Sequence, residues 1–212
     1  MARLWLFDFD GTLVDSEKAI KACYLKVGQE LVPKRCKFIE KMLIGPTLDE
    51  SSKIILTNKN LDLLDEFKSR FQELYDESLV FETPQFPNAD NTLKKLYEKG
   101  DHLCIVTNKR SRPTYNLINY YNWTTLFDWV ACMEEYPMVY TKSELIKLKN
   151  VDKKKYDKVY LVGDTIIDSQ AASCNNILFI KASYGYGKNQ DWTNEKIYTS
   201  ISNINQLLEI LD

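Results

Sequence analysis

The stretch LWLFDFDGTL (residues 4–13) places four apolar residues directly before two aspartates and a glycine. The uninterrupted run Leu4–Phe7 predicts a short strand buried on both faces of a sheet. Alternate residues of an extended chain point the same way, so Asp8 and Asp10 are expected to face one small volume. Gly11 permits a sharp turn that exposes backbone N–H groups to an anion. A cation-held carboxylate pair beside such a turn suits phosphoryl transfer, although Asp and Gly are also ordinary turn residues.

Four further apolar runs resemble the first, and a helical pattern lies before each of them. Apolar strands that alternate with helices predict an α/β fold with a mostly parallel sheet covered on both faces. The predicted strands are Leu103–Val106, Trp129–Cys132, Val159–Val162 and Ile177–Ile180, and the predicted helices are Asn91–Lys99, Pro113–Tyr121, Ser143–Lys149 and Asp168–Cys174.

Residues 16–82 interrupt this alternation with helical patterns alone, so we expect an all-helical cap at 16–82 and a catalytic core at 1–15 and 83–212. Within the insert, Thr47 and Glu50 have the spacing of a capping box. A helical insert beside the first strand is expected to lie over the carboxyl ends of the strands. Open α/β sheets bind ligands at those ends. The turn Gly45-Pro46-Thr47 is expected to face the aspartates.

Three more groups of polar residues follow predicted strands. Asp164 and Asp168 supply carboxylates that suit magnesium, although Asp168 could be a helix N-cap and nothing more. The hydroxyl of Thr107 could bind a phosphate oxygen, or belong to an ordinary turn. Lys142 could neutralise phosphate and carboxylates, or be a solvated surface lysine. Its neighbours Lys147 and Lys149 are competing candidates.

Composition excludes several classes of protein. The 212 residues carry a net charge of −2, which gives no reason to expect a nucleic-acid partner or an anionic membrane surface. Five cysteines without a CxxC pair and one histidine argue against a disulfide scaffold and a zinc site. No apolar run reaches the roughly 20 residues of a membrane span, and two aspartates by position 10 argue against a signal peptide. We therefore expect a cytoplasmic protein, monomeric or homodimeric.

Taken together, the polar residues at the predicted strand ends indicate a known family. The chain resembles those phosphatases of the haloacid dehalogenase (HAD) superfamily that have a helical cap and a Rossmann-like core. Asp8 to Ser16 (DFDGTLVDS) resembles the first motif, Thr107 the second, Lys142 the third and Gly163 to Asp168 (GDTIID) the fourth.

The resemblance implies a role for each motif residue. Asp8 would be the nucleophile that forms an aspartyl-phosphate, and Asp10 would be the general acid and then the base. Thr107 and Lys142 would hold the phosphoryl group. An aspartate at position 10 resembles the phosphatases and phosphomutases and argues against a dehalogenase.

The resemblance also implies a magnesium site. The ligands would be the Asp8 carboxylate, the Asp10 backbone carbonyl and Asp164, with Asp168 in the outer shell. Magnesium is therefore the expected cofactor, and a small phosphorylated metabolite is the expected substrate.

Within the superfamily, the segments GPTLDES, TNK, GDT and GYG resemble the phosphoglycolate phosphatase-like group. Two features depart from that group: Ser143 follows Lys142 where proline is frequent, and Asn175-Asn176 stand where glycine is frequent. Two alternatives to a phosphatase stay open, a sugar phosphomutase and a catalytically silent phosphate-binding module. Two basic clusters could contact substrate or be solvated: Lys34, Arg35, Lys37 and Lys41, and Lys109, Arg110 and Arg112.

Overall fold

Six strands form one parallel sheet in the computed structural model of the chain, which describes residues 2–42, 44 and 46–210. The strands are β1 (Leu4–Phe7), β2 (His102–Thr107), β3 (Trp129–Cys132), β4 (Val159–Gly163), β5 (Leu178–Ala182) and β6 (Thr199–Ile201). Their order across the sheet is β3-β2-β1-β4-β5-β6, and every neighbouring pair is parallel. The predicted α/β fold with a parallel sheet is confirmed.

Five of the strands lie where the apolar runs predict them, and β6 has no such run. Its three residues, Thr199–Ile201, pair with β5 at the edge of the sheet, and Ser200 is exposed. An edge strand of this length buries too little surface to require an apolar sequence, so the pattern misses it.

The residues Ser16–Pro84 form one compact unit, and the described residues up to Asp15 and from Gln85 onward form another. The α-helices of the first unit are α1 (Glu17–Leu31), α2 (Cys36–Ile39), α3 (Leu48–Leu56) and α4 (Leu64–Glu77). Helix α1 packs against α4, and the ring of Tyr24 lies 4.5 Å from that of Phe71. This contact joins two helices of the insert that the sequence predicts to be all-helical.

Helix α3 begins with the predicted capping box. The Thr47 backbone N–H donates to a Glu50 carboxylate oxygen over 2.9 Å, and the Glu50 N–H donates to the Thr47 hydroxyl over 3.3 Å. These bonds satisfy backbone donors that a helix leaves open at its first turn. Gly45 lies outside the described residues, so the orientation of the turn Gly45-Pro46-Thr47 stays a prediction.

The second unit covers both faces of the sheet with helices. These are α5 (Ala89–Glu98), α6 (Ser111–Tyr120), α7 (Lys142–Leu148) and α8 (Ile166–Cys174). Leu4 and Leu6 of β1 belong to a buried cluster with residues of α7 and α8. Trp5, on the opposite face, stacks on Tyr160 of β4 with ring centroids 4.5 Å apart. Successive side chains of β1 point to opposite faces of the sheet, and both faces are buried. This explains why the strand is an uninterrupted apolar run.

Strand order decides which loops meet. Strand β1 lies between β2 and β4, and Phe7 pairs with Ile105 on one side and with Val162 on the other. Parallel strands end at the same edge of the sheet, so the residues that follow β1, β2 and β4 gather there. The strand order also reverses direction beside β1, which is where open α/β sheets form ligand crevices.

Candidate active site

Asp8 occupies the first position after β1 and is largely buried. Its backbone N–H donates to the Val162 carbonyl over 2.9 Å, which extends the sheet by one bond. Its Oδ1 accepts a 2.7 Å hydrogen bond from Lys142 Nζ. Only 3% of the Lys142 side chain is exposed, so this ammonium is a buried partner of Asp8 rather than a solvated surface group.

Lys142 also donates to Oδ1 of Asp168, a fully buried residue of α8. The N-cap of α8 is Thr165, whose backbone N–H and hydroxyl donate to Asp168 Oδ2 over 3.0 and 2.6 Å. Asp168 is therefore the third residue of a capping box and a partner of Lys142 at once. The interpretation of Asp168 as a simple N-cap is wrong.

Three carboxylates meet at this edge of the sheet. Asp8, Asp164 and Asp168 are all buried, and each offers an oxygen within 4.8 Å of the oxygens of the other two. In the described part of the chain, the Lys142 ammonium bonds to two of these carboxylates, those of Asp8 and Asp168.

The electrostatic cost of this arrangement falls on the carboxylates. The pKa of Asp8 is raised to about 7, because the rise from burial, with a smaller rise from Asp168, exceeds the lowering by Lys142. Burial also raises the pKa of Asp164 well above its usual value, and Asp8 and Asp168 add to the rise. Burial alone would lower the pKa of Lys142, but the attraction of Asp168 and Asp8 raises it. All-oxygen donors with unbalanced negative charge are the chemistry that a hard divalent cation fits.

The position of Asp164 depends on closely approaching backbone. Backbone N–H groups of Tyr186 and Gly187 donate to Asp164 Oδ2 over 2.6 and 3.4 Å. A Cβ at Gly185 would lie 2.3 Å from the Asp164 Cβ, and one at Gly11 would lie 2.4 Å from Asp164 Oδ2. Sequence patterns do not pair the segment 185–187 with Asp164, because Gly185 lies 21 positions after Asp164 and no periodicity links them.

Thr107 and Asp10 are joined through Lys109. Thr107 ends β2, is buried, and accepts a hydrogen bond from the Lys109 backbone N–H over 3.1 Å. The Lys109 ammonium lies 3.0 and 3.1 Å from the two carboxylate oxygens of Asp10. As a member of the basic cluster with Arg110 and Arg112, Lys109 was expected to contact substrate or to be solvated, and neither alternative includes its burial against Asp10.

The other candidate lysines lie elsewhere. Lys147 is exposed, and the Lys149 ammonium lies 4.9 Å above the Trp129 ring. In the cluster near position 35, Arg35 donates to the carbonyls of Ile54 and Ile55 at the end of α3, so it has a structural role there.

Comparison with known proteins assigns the chain to a family. The model of the haloacid dehalogenase-like hydrolase family matches residues 5–182. The chain belongs to this family. This HAD hydrolase is 28% identical to a phosphoglycolate phosphatase of Psychrobacter arcticus, over 89% of the chain and 86% of the relative. It is 29% identical to a phosphoglycolate phosphatase of Haemophilus influenzae, over 97% and 96%.

A solved haloacid dehalogenase-like hydrolase from Streptococcus pneumoniae has the same fold, with a TM-score of 0.81 over 100% of this chain and 99% of that one, at 21% identity. The resemblance stated from the motifs is confirmed, and the chain is a phosphatase of the HAD family. Among the described residues, no helix is long and apolar enough to cross a membrane.

Proposed function

We propose that this HAD phosphatase hydrolyses a small phosphomonoester, with magnesium as cofactor, through an aspartyl-phosphate on Asp8. One observation carries the proposal: Lys142 bonds to both Asp8 and Asp168 beside Asp164, at the carboxyl edge of a parallel sheet. A purely structural site would not need three buried carboxylates against one ammonium, because unbalanced buried charge destabilises a fold.

The protein's own residues divide the chemistry. The Asp8 carboxylate attacks phosphorus, and the departing oxygen takes a proton from Asp10. The Asp10 carboxylate then takes a proton from the water that attacks the phosphoaspartate, which releases phosphate and restores Asp8. Thr107 and Lys142 hold the phosphoryl oxygens during both transfers.

Magnesium would be held by the Asp8 carboxylate, the Asp10 backbone carbonyl and Asp164, with Asp168 outside the direct ligands. When bound, it supplies positive charge that offsets the carboxylates and the phosphoryl oxygens. Asp168 would then act through Lys142 and Thr165, to which it bonds.

For the substrate, we propose phosphoglycolate or a similarly small anionic phosphomonoester, since relatives that match nearly the whole chain carry the name phosphoglycolate phosphatase. The helical unit Ser16–Pro84 would act as the cap that selects among such esters and excludes water. A cytoplasmic location fits the five cysteines, which are all free.

A panel of phosphate esters tests the proposal, with phosphoglycolate included and magnesium present. Turnover should require the metal, should vanish on chelation, and should be abolished in Asp8→Asn. Beryllium fluoride with magnesium should modify Asp8 in the wild-type protein. Turnover that survives chelation, or appreciable activity in pure Asp8→Asn protein, would contradict the mechanism.

A further inference from the structure

Lys109 connects two residues of the proposed machinery, one at the end of β2 and the other in the loop after β1. Its backbone N–H bonds to the Thr107 hydroxyl at the end of β2, and its ammonium bonds to both oxygens of Asp10 after β1. Only 5% of the Lys109 side chain is exposed, against 23% for Asp10. The pair is therefore mostly shielded from water.

A lysine is rarely buried to this extent. Its side chain has about 2 kcal/mol of rotamer entropy to lose, and its ammonium is strongly hydrated in water. The second unit contains a comparison: Lys94 pairs with Asp90 over 2.8 Å, but the two side chains are 49% and 33% exposed. Exposed pairs of that kind contribute little. The burial of Lys109 means that its bonds to Asp10 hold both side chains in one arrangement.

A contact with both oxygens restricts the rotation of the Asp10 carboxyl group. Gly11 follows Asp10 with φ of +82°, so the adjacent backbone is a tight turn and supplies no side chain to hold Asp10. One oxygen of Asp10 can accept a bond from Lys109 while the other exchanges a proton with the leaving oxygen or with water. The contact is compatible with proton transfer in both halves of the reaction.

We propose that Lys109 is a positioning residue, which holds the Asp10 carboxyl in the orientation that both proton transfers need. The inference rests on the proposed function, in which Asp10 is first the acid and then the base. Lys109 itself transfers no proton and forms no covalent bond. Orientation of a catalytic group matters in the transition state, so its loss should lower kcat and leave KM nearly unchanged.

The test compares Lys109→Met with Lys109→Arg, and with Lys94→Met as a control that breaks an ion pair outside the site. On an alkyl phosphate, Lys109→Met should lower kcat about 30-fold to 100-fold and change KM by less than about threefold. Lys109→Arg should return kcat to within about tenfold of wild type, because a guanidinium can bond both carboxylate oxygens. Lys94→Met should match wild type.

An activated aryl phosphate separates the two halves of the reaction. Its leaving group needs no proton, so Lys109→Met should release the first equivalent of aryl alcohol within about threefold of the wild-type rate. Hydrolysis of the phosphoaspartate still needs Asp10, so the variant should show a burst and accumulate phosphoenzyme. Equal slowing of the burst and of steady-state turnover would overturn the inference.

A double-mutant cycle isolates the dependence on Asp10. In an Asp10→Asn background, Lys109→Met should change turnover by less than about twofold, because the group that Lys109 holds is gone. Losses that multiply would show that Lys109 acts independently, and a raised KM with normal kcat would show that it binds substrate. Either result overturns the inference. Melting curves check folding, and Lys109→Gln serves in the same comparisons if the methionine variant does not fold.

Different results would contradict the proposed function and the inference about Lys109. The proposed function is contradicted if wild type has no phosphatase turnover, or if Asp10→Asn is fully active. The inference alone is overturned if wild type is active, Asp10→Asn is impaired and Lys109→Met is normal.

Discussion

Asp8→Asn should abolish turnover and, in the metal-free protein, should become more stabilising as pH rises. The Asp8 carboxylate is buried, and burial raises its pKa from 3.8 to about 7. An amide cannot ionise, so the variant avoids the cost of a buried charge. Replacing a catalytic residue that destabilises the fold with a neutral one is expected to increase stability.

The sign and size follow from proton linkage. The folded state holds the Asp8 proton up to about pH 7, whereas the unfolded chain releases it near pH 4. The unfolded state therefore binds fewer protons within this window, and wild-type stability falls as pH rises through it. From about pH 5 to about pH 7, the free energy of unfolding falls by about 1.4 kcal/mol per pH unit, which gives a total loss of about 3 kcal/mol.

The assay is urea unfolding of wild type and Asp8→Asn in chelator, at about pH 5 and about pH 8. The quantity compared is the difference in free energy of unfolding between the two proteins, because any pH-independent effect of the amide cancels. This difference should shift in favour of Asp8→Asn by about 3 kcal/mol between the two conditions.

Asp49→Asn is the matched control. Hydrogen bonds from Lys53 and Lys68 lower the pKa of Asp49. The stability that Asp49 contributes is therefore fully present at pH values above its unfolded pKa and is lost only at lower pH. The difference in free energy of unfolding between Asp49→Asn and wild type should stay constant over the same pH range. A shift for Asp8→Asn that is absent, or that favours wild type at the higher pH, would refute the argument that burial dominates at Asp8.

Three other changes test the rest of the site. Asp164→Ala should weaken magnesium binding far more than Asp168→Ala, as titration calorimetry would measure; equal losses would contradict the assignment of direct and outer positions. Lys142→Ala should lower kcat/KM at least about 100-fold while Lys147→Ala stays near wild type, and the reverse result would misplace the phosphate-binding lysine. A Gly/Ser linker in place of 17–82 should leave slow magnesium-dependent hydrolysis of an aryl phosphate without preference among natural esters. A core that keeps the full-length ranking of esters would show that the helical unit does not select.

Local sequence was sufficient for the strands that pass through the interior. β1 and β4 are buried on both faces, and such strands need uninterrupted apolar runs, which are visible without any tertiary information. The same runs place Asp8 and Asp164 at strand ends. Thr47 and Glu50 likewise mark a helix start, because both partners of a capping box lie within one turn of the chain.

Only the tertiary structure decided which distant residues meet. The choice of Lys142 over its neighbours depends on where α7 packs, since an isolated lysine carries no pattern that distinguishes a buried ammonium from a solvated one. The bonds from the segment 185–187 to Asp164 and the pairing of Lys109 with Asp10 depend on strand order, which brings together loops far apart in the chain. Sequence periodicity reports which face of an element is buried, whereas contacts between loops follow from the sheet on which the loops are mounted.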